Sequence, residues 1–123
     1  MPGNSSILLV DDEENLRSTL ALILRREGYE VETASTIREA RECLANSVYD
    51  LIFLDLKLPD ANGLSLLPEL HIRFPKMPVL ILTAHDKLDA AVEAVRHGAR
   101  DYLLKPLDPP LIIQRVKEVL AEK

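Results

Sequence analysis

The sequence has little cysteine and no surplus of positive charge. Cys43 is the only cysteine among 123 residues, which excludes an internal disulfide and a cluster of thiolate metal ligands. The 15 lysine and arginine residues are outnumbered by 20 aspartate and glutamate residues, so the formal net charge is −5. An acidic balance does not favour an anionic partner, so we expect no direct binding to nucleic acid or to a membrane surface.

Long hydrophobic runs are also absent. Every uninterrupted apolar run is only a few residues long, whereas a membrane-spanning helix needs about 20 such residues and a signal peptide at least about seven. We therefore expect a protein of the reducing cytoplasm, without a membrane segment. The length and the 47% hydrophobic content fit a single domain over residues 1–123, with a core of about 7–120.

Short apolar runs alternate with segments that have helical periodicity. Leu16, Leu20, Ile23 and Leu24 fall at i, i+4, i+7 and i+8, as on one face of a helix. A weaker strand candidate, 29–34, alternates apolar with charged residues and suits the edge of a sheet. Strand and helix signals follow each other five times. This order predicts an α/β fold in which helices cover both faces of a parallel sheet.

Polar residues directly follow four of the predicted strands. The pairs are 7–10 with Asp11 and Asp12, 51–54 with Asp55, 79–82 with Thr83, and 102–104 with Lys105 and Pro106. The carboxyl ends of parallel strands lie at one edge of the sheet, where ligands of such folds bind. We therefore expect three carboxylates, one hydroxyl and one ammonium group to share a single crevice.

Charge predicts what this crevice binds. Each pair of carboxylates about 5 Å apart costs roughly 3 kcal/mol at an effective dielectric constant of about 20, and Lys105 alone cannot offset that repulsion. A hard divalent cation can, and ligands that are all oxygen favour Mg²⁺. The alternative is three solvated loop aspartates, with Asp11 or Asp12 capping the first helix.

With a metal bound, one carboxylate can attack a phosphoryl group and form an aspartyl phosphate. Asp55 is the best candidate because it follows the most hydrophobic strand, which we expect near the centre of the sheet. Asp11 and Asp12 would then hold the metal, and Lys105 would stabilise charge on the phosphoryl oxygens. Thr83 would donate its hydroxyl to a phosphoryl oxygen, a bond that exists only after modification.

At these residues the sequence resembles the receiver domain of two-component response regulators, chemotaxis-regulator-like, over about residues 7–120. Asp11 and Asp12 resemble the acidic metal pair, and Asp55 resembles the phospho-acceptor. Thr83 is followed by a small residue, as the switch threonine of that family is. The resemblance implies the flavodoxin-like (βα)5 three-layer sandwich, with strand order 2-1-3-4-5.

Two further matches lie near the end of the chain. Lys105 and Pro106 resemble the family's lysine and the proline whose preceding peptide bond is cis. Tyr102 is at the aromatic switch position, and the alternative is an ordinary half-buried tyrosine of the sheet. The segment 89–102 looks most like receivers of sigma-54-dependent transcriptional regulators.

The resemblance implies a phosphorylation-controlled interaction module, which catalyses only its own phosphorylation and dephosphorylation. Such domains take a phosphoryl group from the phosphohistidine of a sensor histidine kinase, using Mg²⁺. They then change the surface of the fourth helix, fifth strand and fifth helix, here about 86–120. That surface would control an effector domain or a downstream protein with a transcriptional output, and could form a homodimer.

Two further residues, Lys57 and His85, are expected to border the site. Lys57, two residues after Asp55, is expected to offer its backbone carbonyl to the metal while its side chain borders the site. His85, two residues after Thr83, would border the site on the other side. Residues at these positions tune phosphoryl lifetime in the family, but both could be ordinary exposed loop residues.

Two other functions deserve comparison. A Mg²⁺-dependent phosphatase or phosphotransferase with an aspartyl-phosphate intermediate would need a second carboxylate two residues after Asp55, where this chain has Lys57. A flavin carrier of the same topology would need a Ser/Thr/Gly-rich phosphate loop after the first strand. The acidic segment 11–14 would repel a phosphate there.

Overall fold

The computed structural model describes residues 4–84 and 87–121, in which strands and helices alternate. The strands are β1 (Ser6–Val10), β2 (Glu30–Ala34), β3 (Leu51–Asp55), β4 (Val79–Thr83) and β5 (Asp101–Leu104). The helices are α1 (Glu14–Arg26), α2 (Ile37–Asn46), α3 (Leu67–Arg73), α4 (Leu88–Arg96) and α5 (Pro109–Ala121). None of these helices is long and apolar enough to cross a membrane.

The five strands form one parallel sheet in the order β2-β1-β3-β4-β5, so the predicted fold class is confirmed. The register places Val10 opposite Leu54, so β1 and β3 end at nearly the same level. Thr83 at the end of β4 pairs with Leu104 at the end of β5. The carboxyl ends of these four strands therefore form one continuous edge.

Helices cover both faces of the sheet. Alternate side chains of β1 and β3, including Leu8 and Ile52, pack into a core cluster with α2, α3 and α4. The intervening side chains, including Leu9 and Phe53, pack with α1 and α5. All five residues of β3 are buried, which explains why that segment reads as a continuous apolar run.

Local sequence signals set several element boundaries. Gly28 and Gly98 adopt positive φ just after α1 and α4, where the sequence predicts that these helices stop. The Thr36 hydroxyl caps α2 by accepting a hydrogen bond from the Glu39 N–H at 3.0 Å, as its capping-box spacing predicts. The Glu39 carboxylate instead accepts from the N–H of Ser35, one residue before the cap.

Two boundaries differ from the expectation. The helical spacing of Leu66, Leu67, Leu70 and Phe74 predicts one helix that includes Leu66, but this residue lies in a short 3-10 turn, Gly63–Leu66, before α3. Pro68 explains the difference, since a proline has no N–H and is tolerated only in the first turn of an α-helix. The dense β-type pattern of the sequence begins at Tyr49, but the strand itself begins only at Leu51.

Candidate metal and phosphoryl-acceptor site

Three carboxylates from two adjacent strands meet at the carboxyl edge of the sheet. Asp11, Asp12 and Asp55 each place one carboxylate oxygen within 4.8 Å of the other two. Asp11 is fully buried and Asp55 is 5% exposed, whereas Asp12 is open to solvent. The structure therefore brings together the three residues that the sequence predicts as metal ligands, and it excludes the alternative of three solvated loop aspartates.

Lys105 supplies the positive charge of the site. Its Nζ lies 2.9 Å from Asp11 Oδ2 and 3.3 Å from Asp55 Oδ2. The backbone N–H of Lys105 donates to the carbonyl of Thr83 at 2.7 Å, and the bond to Pro106 is cis. The ammonium group is thereby directed from the end of β5 across the sheet toward β1 and β3.

Glu13 is a partner of Lys105 that sequence reasoning missed. Its Oε1 lies 3.0 Å from Lys105 Nζ, although the two residues are 92 positions apart. Burial lowers the pKa of the Lys105 ammonium, but the close carboxylates of Asp11 and Glu13, together with the charge of Asp55, outweigh it and raise that pKa overall. In the sequence, the signal for this contact was the acidic run after β1.

Asp55 lies in a strained electrostatic position. Burial raises the pKa of its carboxyl group, and the nearby charge of Asp11 raises it further. Lys105 and the N–H of Lys57 lower it again, the latter by donating to Asp55 Oδ1 at 3.2 Å. The net shift is upward, which means that the protein without a cation destabilises the ionised form of Asp55.

The donor set fits a hard divalent cation. Asp11 Oδ1 accepts a hydrogen bond from the N–H of Glu13 at 2.9 Å, while the buried Oδ2 accepts no hydrogen bond from the described residues and has only ionic contact with Lys105. The oxygens of Asp12 and Asp55 complete a donor set of oxygen alone, which Mg²⁺ prefers. The described residues can hold a metal at this point of the fold.

The β3–α3 loop, residues 56–62, borders the carboxylates. Lys57 pairs with Asn62 in an antiparallel bridge, and the N–H of Gly63 donates to the carbonyl of Leu56 at 2.8 Å. Any Cβ at position 63 would collide with the backbone carbonyl of Asp55, so only glycine fits there. The loop is thus closed tightly against the proposed phospho-acceptor.

A cleft of about 400 Å³ opens above Asp55. Asp12, Lys57 and Lys105 line it, as the sequence predicts, together with Lys87 from the start of α4. Sequence reasoning missed Lys87, because nothing in the local pattern indicates that α4 begins beside the carboxylates. His85, expected on this rim, lies outside the described residues.

Thr83 and Tyr102 lie on β4 and β5, which follow β3 on the side of the sheet away from β1. Thr83 is 1% exposed, and the one hydrogen bond that its hydroxyl donates within the described residues is a long bond of 3.2 Å to the adjacent carbonyl of Ala84. Tyr102 is half-buried on the edge strand β5, where it packs against the cluster beneath α4. The hydroxyl of Thr83 can exchange its weak local bond for a stronger acceptor.

Comparison with known proteins identifies the arrangement. The family model of the response regulator receiver domain matches residues 7–117, nearly the whole chain. The chain belongs to that family. This membership disfavours the phosphatase alternative, in agreement with Lys57 at the position where that alternative needs a carboxylate.

The chain is similar in sequence to one part of several bacterial regulatory proteins. The chain is 48% identical over 103 residues to the alginate biosynthesis transcriptional regulatory protein AlgB of Pseudomonas putida, covering 84% of this chain and 23% of that protein. It is 41% identical to the transcriptional regulatory protein ZraR of Escherichia coli, covering 96% of this chain and 27% of that protein. The receiver thus spans about a quarter of the length of these relatives.

Solved structures agree with this assignment. The CheY-like receiver domain protein of Methanospirillum hungatei superposes with a TM-score of 0.92 at 35% identity, covering 98% of this chain and 96% of that one. The receiver domain of NtrX from Brucella abortus gives a TM-score of 0.90 at 34% identity, covering 95% and 99%. The fold and the family are therefore supported independently.

Proposed function

We propose that this receiver accepts a phosphoryl group on Asp55 from the phosphohistidine of a sensor histidine kinase, in a reaction that requires Mg²⁺. The observation that carries the proposal is the convergence of Asp11, Asp12 and Asp55 on the Lys105 ammonium at the carboxyl edge of the sheet. Carboxylates collected beside one cation form a site that has excess negative charge until a metal binds.

The chemistry follows from this geometry. A carboxylate oxygen of Asp55 attacks the phosphorus atom, the P–N bond of phosphohistidine breaks, and the leaving imidazole keeps the electron pair. Lys105 neutralises charge on the phosphoryl oxygens. Asp11, Asp12, Asp55 and the backbone carbonyl of Lys57 would hold Mg²⁺, which supplies positive charge at the same oxygens.

Residues of β4 and β5 respond to the phosphorylation of Asp55. Thr83 exchanges its 3.2 Å bond with Ala84 for a bond to a phosphoryl oxygen, and Tyr102 follows as the edge of the sheet readjusts. The surface of α4, β5 and α5 then changes and contacts a partner, which is an effector domain, a downstream protein or a second copy of the receiver.

The output we propose is transcriptional. Relatives that carry a similar receiver in about a quarter of their length are named as transcriptional regulatory proteins. We extend this to a sigma-54-dependent regulator of the cytoplasm, on the resemblance of the segment 89–102. The receiver itself touches neither DNA nor membrane, turns over no substrate, and catalyses only its own phosphorylation and dephosphorylation.

A labelling experiment tests the proposal. The wild type is incubated with a small phosphodonor such as acetyl phosphate, with and without Mg²⁺, beside Asp55→Asn and Asp89→Asn. Asp89 is an exposed carboxylate in the first turn of α4 and serves as the control. We expect Mg²⁺-dependent labelling of the wild type and of Asp89→Asn, and none of Asp55→Asn.

Two results would contradict the assignment. Mg²⁺-dependent labelling that persists in a folded Asp55→Asn variant would place the acceptor elsewhere. Sustained hydrolysis of a small phosphate ester by the wild type would instead favour the phosphatase alternative. Size-exclusion chromatography of the labelled protein then shows whether modification drives self-association.

A further inference from the structure

The β3–α3 loop is fixed at its base beside Asp55. Lys57 bridges to Asn62, and Gly63 packs its backbone directly on the carbonyl of Asp55. The N–H of Lys57 also donates to Asp55 Oδ1. The base of the loop is therefore part of the site, and it contains the carbonyl of Lys57 that we assign to the metal.

The tip of the same loop is held by a different element. Asp60 Oδ1 accepts a hydrogen bond from the backbone N–H of Ile37 at 3.0 Å, and Asp60 Oδ2 accepts one from the backbone N–H of Arg38 at 3.1 Å. These are the first two amides of α2, which have no acceptor inside their own helix. The positive end of the helix dipole favours a carboxylate there.

The start of α2 is thus capped twice, from two places in the chain. Thr36 accepts from the third amide, that of Glu39, and this cap is local. Asp60 accepts from the first and second amides, and this cap comes from 22 and 23 residues away. The hydrogen bond from Ile37 is the main reason that the pKa of Asp60 lies below its ordinary value, with Arg38 contributing in the same direction.

The helix is a firm support for the loop. Ile37 is 1% exposed and Ala40 is fully buried, so the first turn of α2 packs into the core beneath β1 and β3. The loop is consequently held at its base by Asp55 and at its tip by a helix whose inner face is buried. Lys57 lies between these two attachments, which restricts where its carbonyl can point before any metal arrives.

We propose that Asp60 is a positioning residue for the metal site: its double cap on α2 holds the β3–α3 loop so that the carbonyl of Lys57 is oriented for the cation. This inference rests on the proposed function, in which Asp55 and Lys57 are metal ligands. Outer contacts that orient a ligand commonly change metal affinity tenfold or more. Asp60 acts through a loop, so we expect a smaller change.

Metal affinity of the unphosphorylated protein is the first test. The dissociation constant for Mg²⁺ is measured by NMR titration for wild type, Asp60→Ala, Asp60→Asn and Thr36→Ala. Thr36→Ala is the matched control, because it removes a cap from the same helix end and leaves the loop untouched. Titration at about 1 M KCl, where the Debye length is about 3 Å, screens the charge that is lost with Asp60.

We expect Asp60→Ala to bind Mg²⁺ about three- to tenfold more weakly, in keeping with a contact one step beyond those that orient ligands directly. Thr36→Ala should stay within about twofold of wild type, because the cap it loses lies outside the loop. Asp60→Asn keeps one acceptor oxygen and should fall between. Equal weakening in Thr36→Ala, or no weakening in Asp60→Ala, would overturn the proposal.

Amide hydrogen exchange without metal is the second test. Asp60→Ala should speed exchange at Gly63, whose N–H closes the base of the loop, while Thr36→Ala should not. Unchanged exchange at Gly63 in Asp60→Ala would overturn the role of the anchor. A wild type that binds no Mg²⁺ would instead overturn the proposed function, so the two failures are distinguishable.

Discussion

The two halves of the site are held in place to very different degrees. The binding half consists of the end of β1, the end of β3 and the β3–α3 loop. Asp11 shows how firmly it is fixed: its N–H donates to the carbonyl of Ala34 at 3.0 Å, and its own carbonyl accepts from the guanidinium of Arg17 at 2.8 Å. The groups that would bind metal and phosphate are arranged in advance.

The readout half consists of the end of β4, α4 and β5, and its contacts are weaker. Within residues 4–84 and 87–121, the hydroxyl of Thr83 has one long bond to a neighbouring residue, and β5 is an edge strand with a single partner strand. No side chain of the described residues caps the start of α4 at Lys87, and the fully buried residues of α4 are the small Ala91 and Ala94. Little apolar area therefore holds α4 to the sheet.

This difference suits a switch. A binding site works best when its ligands need no ordering as the cation arrives, whereas a responding element needs a second arrangement of nearly equal free energy. Elements that move are drawn from the less stable parts of a fold. Variants that perturb one half at a time can therefore separate metal and phosphoryl binding from the structural response.

Asp11→Asn should disable the binding half. Two unit charges about 4 Å apart interact by about 4 kcal/mol at an effective dielectric constant of 20, so we expect Mg²⁺ affinity to fall about 1,000-fold. Calorimetric titration measures it, with Glu14→Gln on the exposed first turn of α1 as the control. Affinity that stays within threefold of wild type would place the metal outside this cluster.

Lys105→Ala should leave phosphorylation in the binding half weakly active while the response of the readout half is lost. Without its ammonium the buried carboxylates of Asp11 and Asp55 face each other unpaired, and we expect the metal-free protein to lose about 3 kcal/mol of unfolding free energy. Weak labelling by a phosphodonor should survive, because Asp55 and its metal ligands remain. Phosphorylation-dependent self-association should be lost.

Denaturant unfolding with and without Mg²⁺ measures the loss of unfolding free energy. Size-exclusion chromatography measures the phosphorylation-dependent self-association. Lys87→Ala removes an exposed cation from the same cleft and should leave the unfolding free energy nearly unchanged. Self-association that responds to phosphorylation in Lys105→Ala as it does in wild type would refute the transmitting role of this lysine.

Thr83→Ala should affect the readout half alone. We expect labelling within about fivefold of wild type, because the hydroxyl contributes at most one hydrogen bond, worth about 1 kcal/mol, to the phosphoryl group. The change in amide exchange of α4 on phosphorylation should disappear, and Thr83→Ser should restore it. An α4 that still responds in Thr83→Ala would assign the readout to another residue.

The smallest effect concerns pH. The pKa of Asp55 is raised in the folded protein above its ordinary value of 3.8, so the ionised carboxylate destabilises the metal-free fold at neutral pH. Asp55→Asn should therefore unfold at a temperature a few degrees above wild type at pH 7. The difference should shrink as pH falls through the raised pKa toward 3.8, because the folded wild type then takes up a proton.

Thermal unfolding in the presence of a chelator, at several pH values, measures this difference. A difference that grows as the pH falls would mean that the pKa of Asp55 is lowered on folding. In that case attraction by Lys105 would outweigh the burial of Asp55 and the repulsion by Asp11.

Much of the site was predictable because strand ends are visible in sequence. Asp55 and Thr83 each terminate a fully buried apolar run, and the parallel order of such runs brings their ends together. The contacts that cross between loops were not predictable in this way. Lys105 meets Glu13 over 92 positions, and Asp60 meets Ile37 over 23, and neither pair leaves a periodic signal.

The residue pattern along the chain was sufficient to predict the layers of the fold, the strands that carry polar residues at their ends, and the chemical class of the site. Hydrophobic periodicity reports burial, and burial decides those features. Tertiary structure alone decided which charges pair across the crevice, that Lys87 borders it, and that the β3–α3 loop is anchored to α2. These depend on loop paths and side-chain directions, which arise only when distant segments pack together.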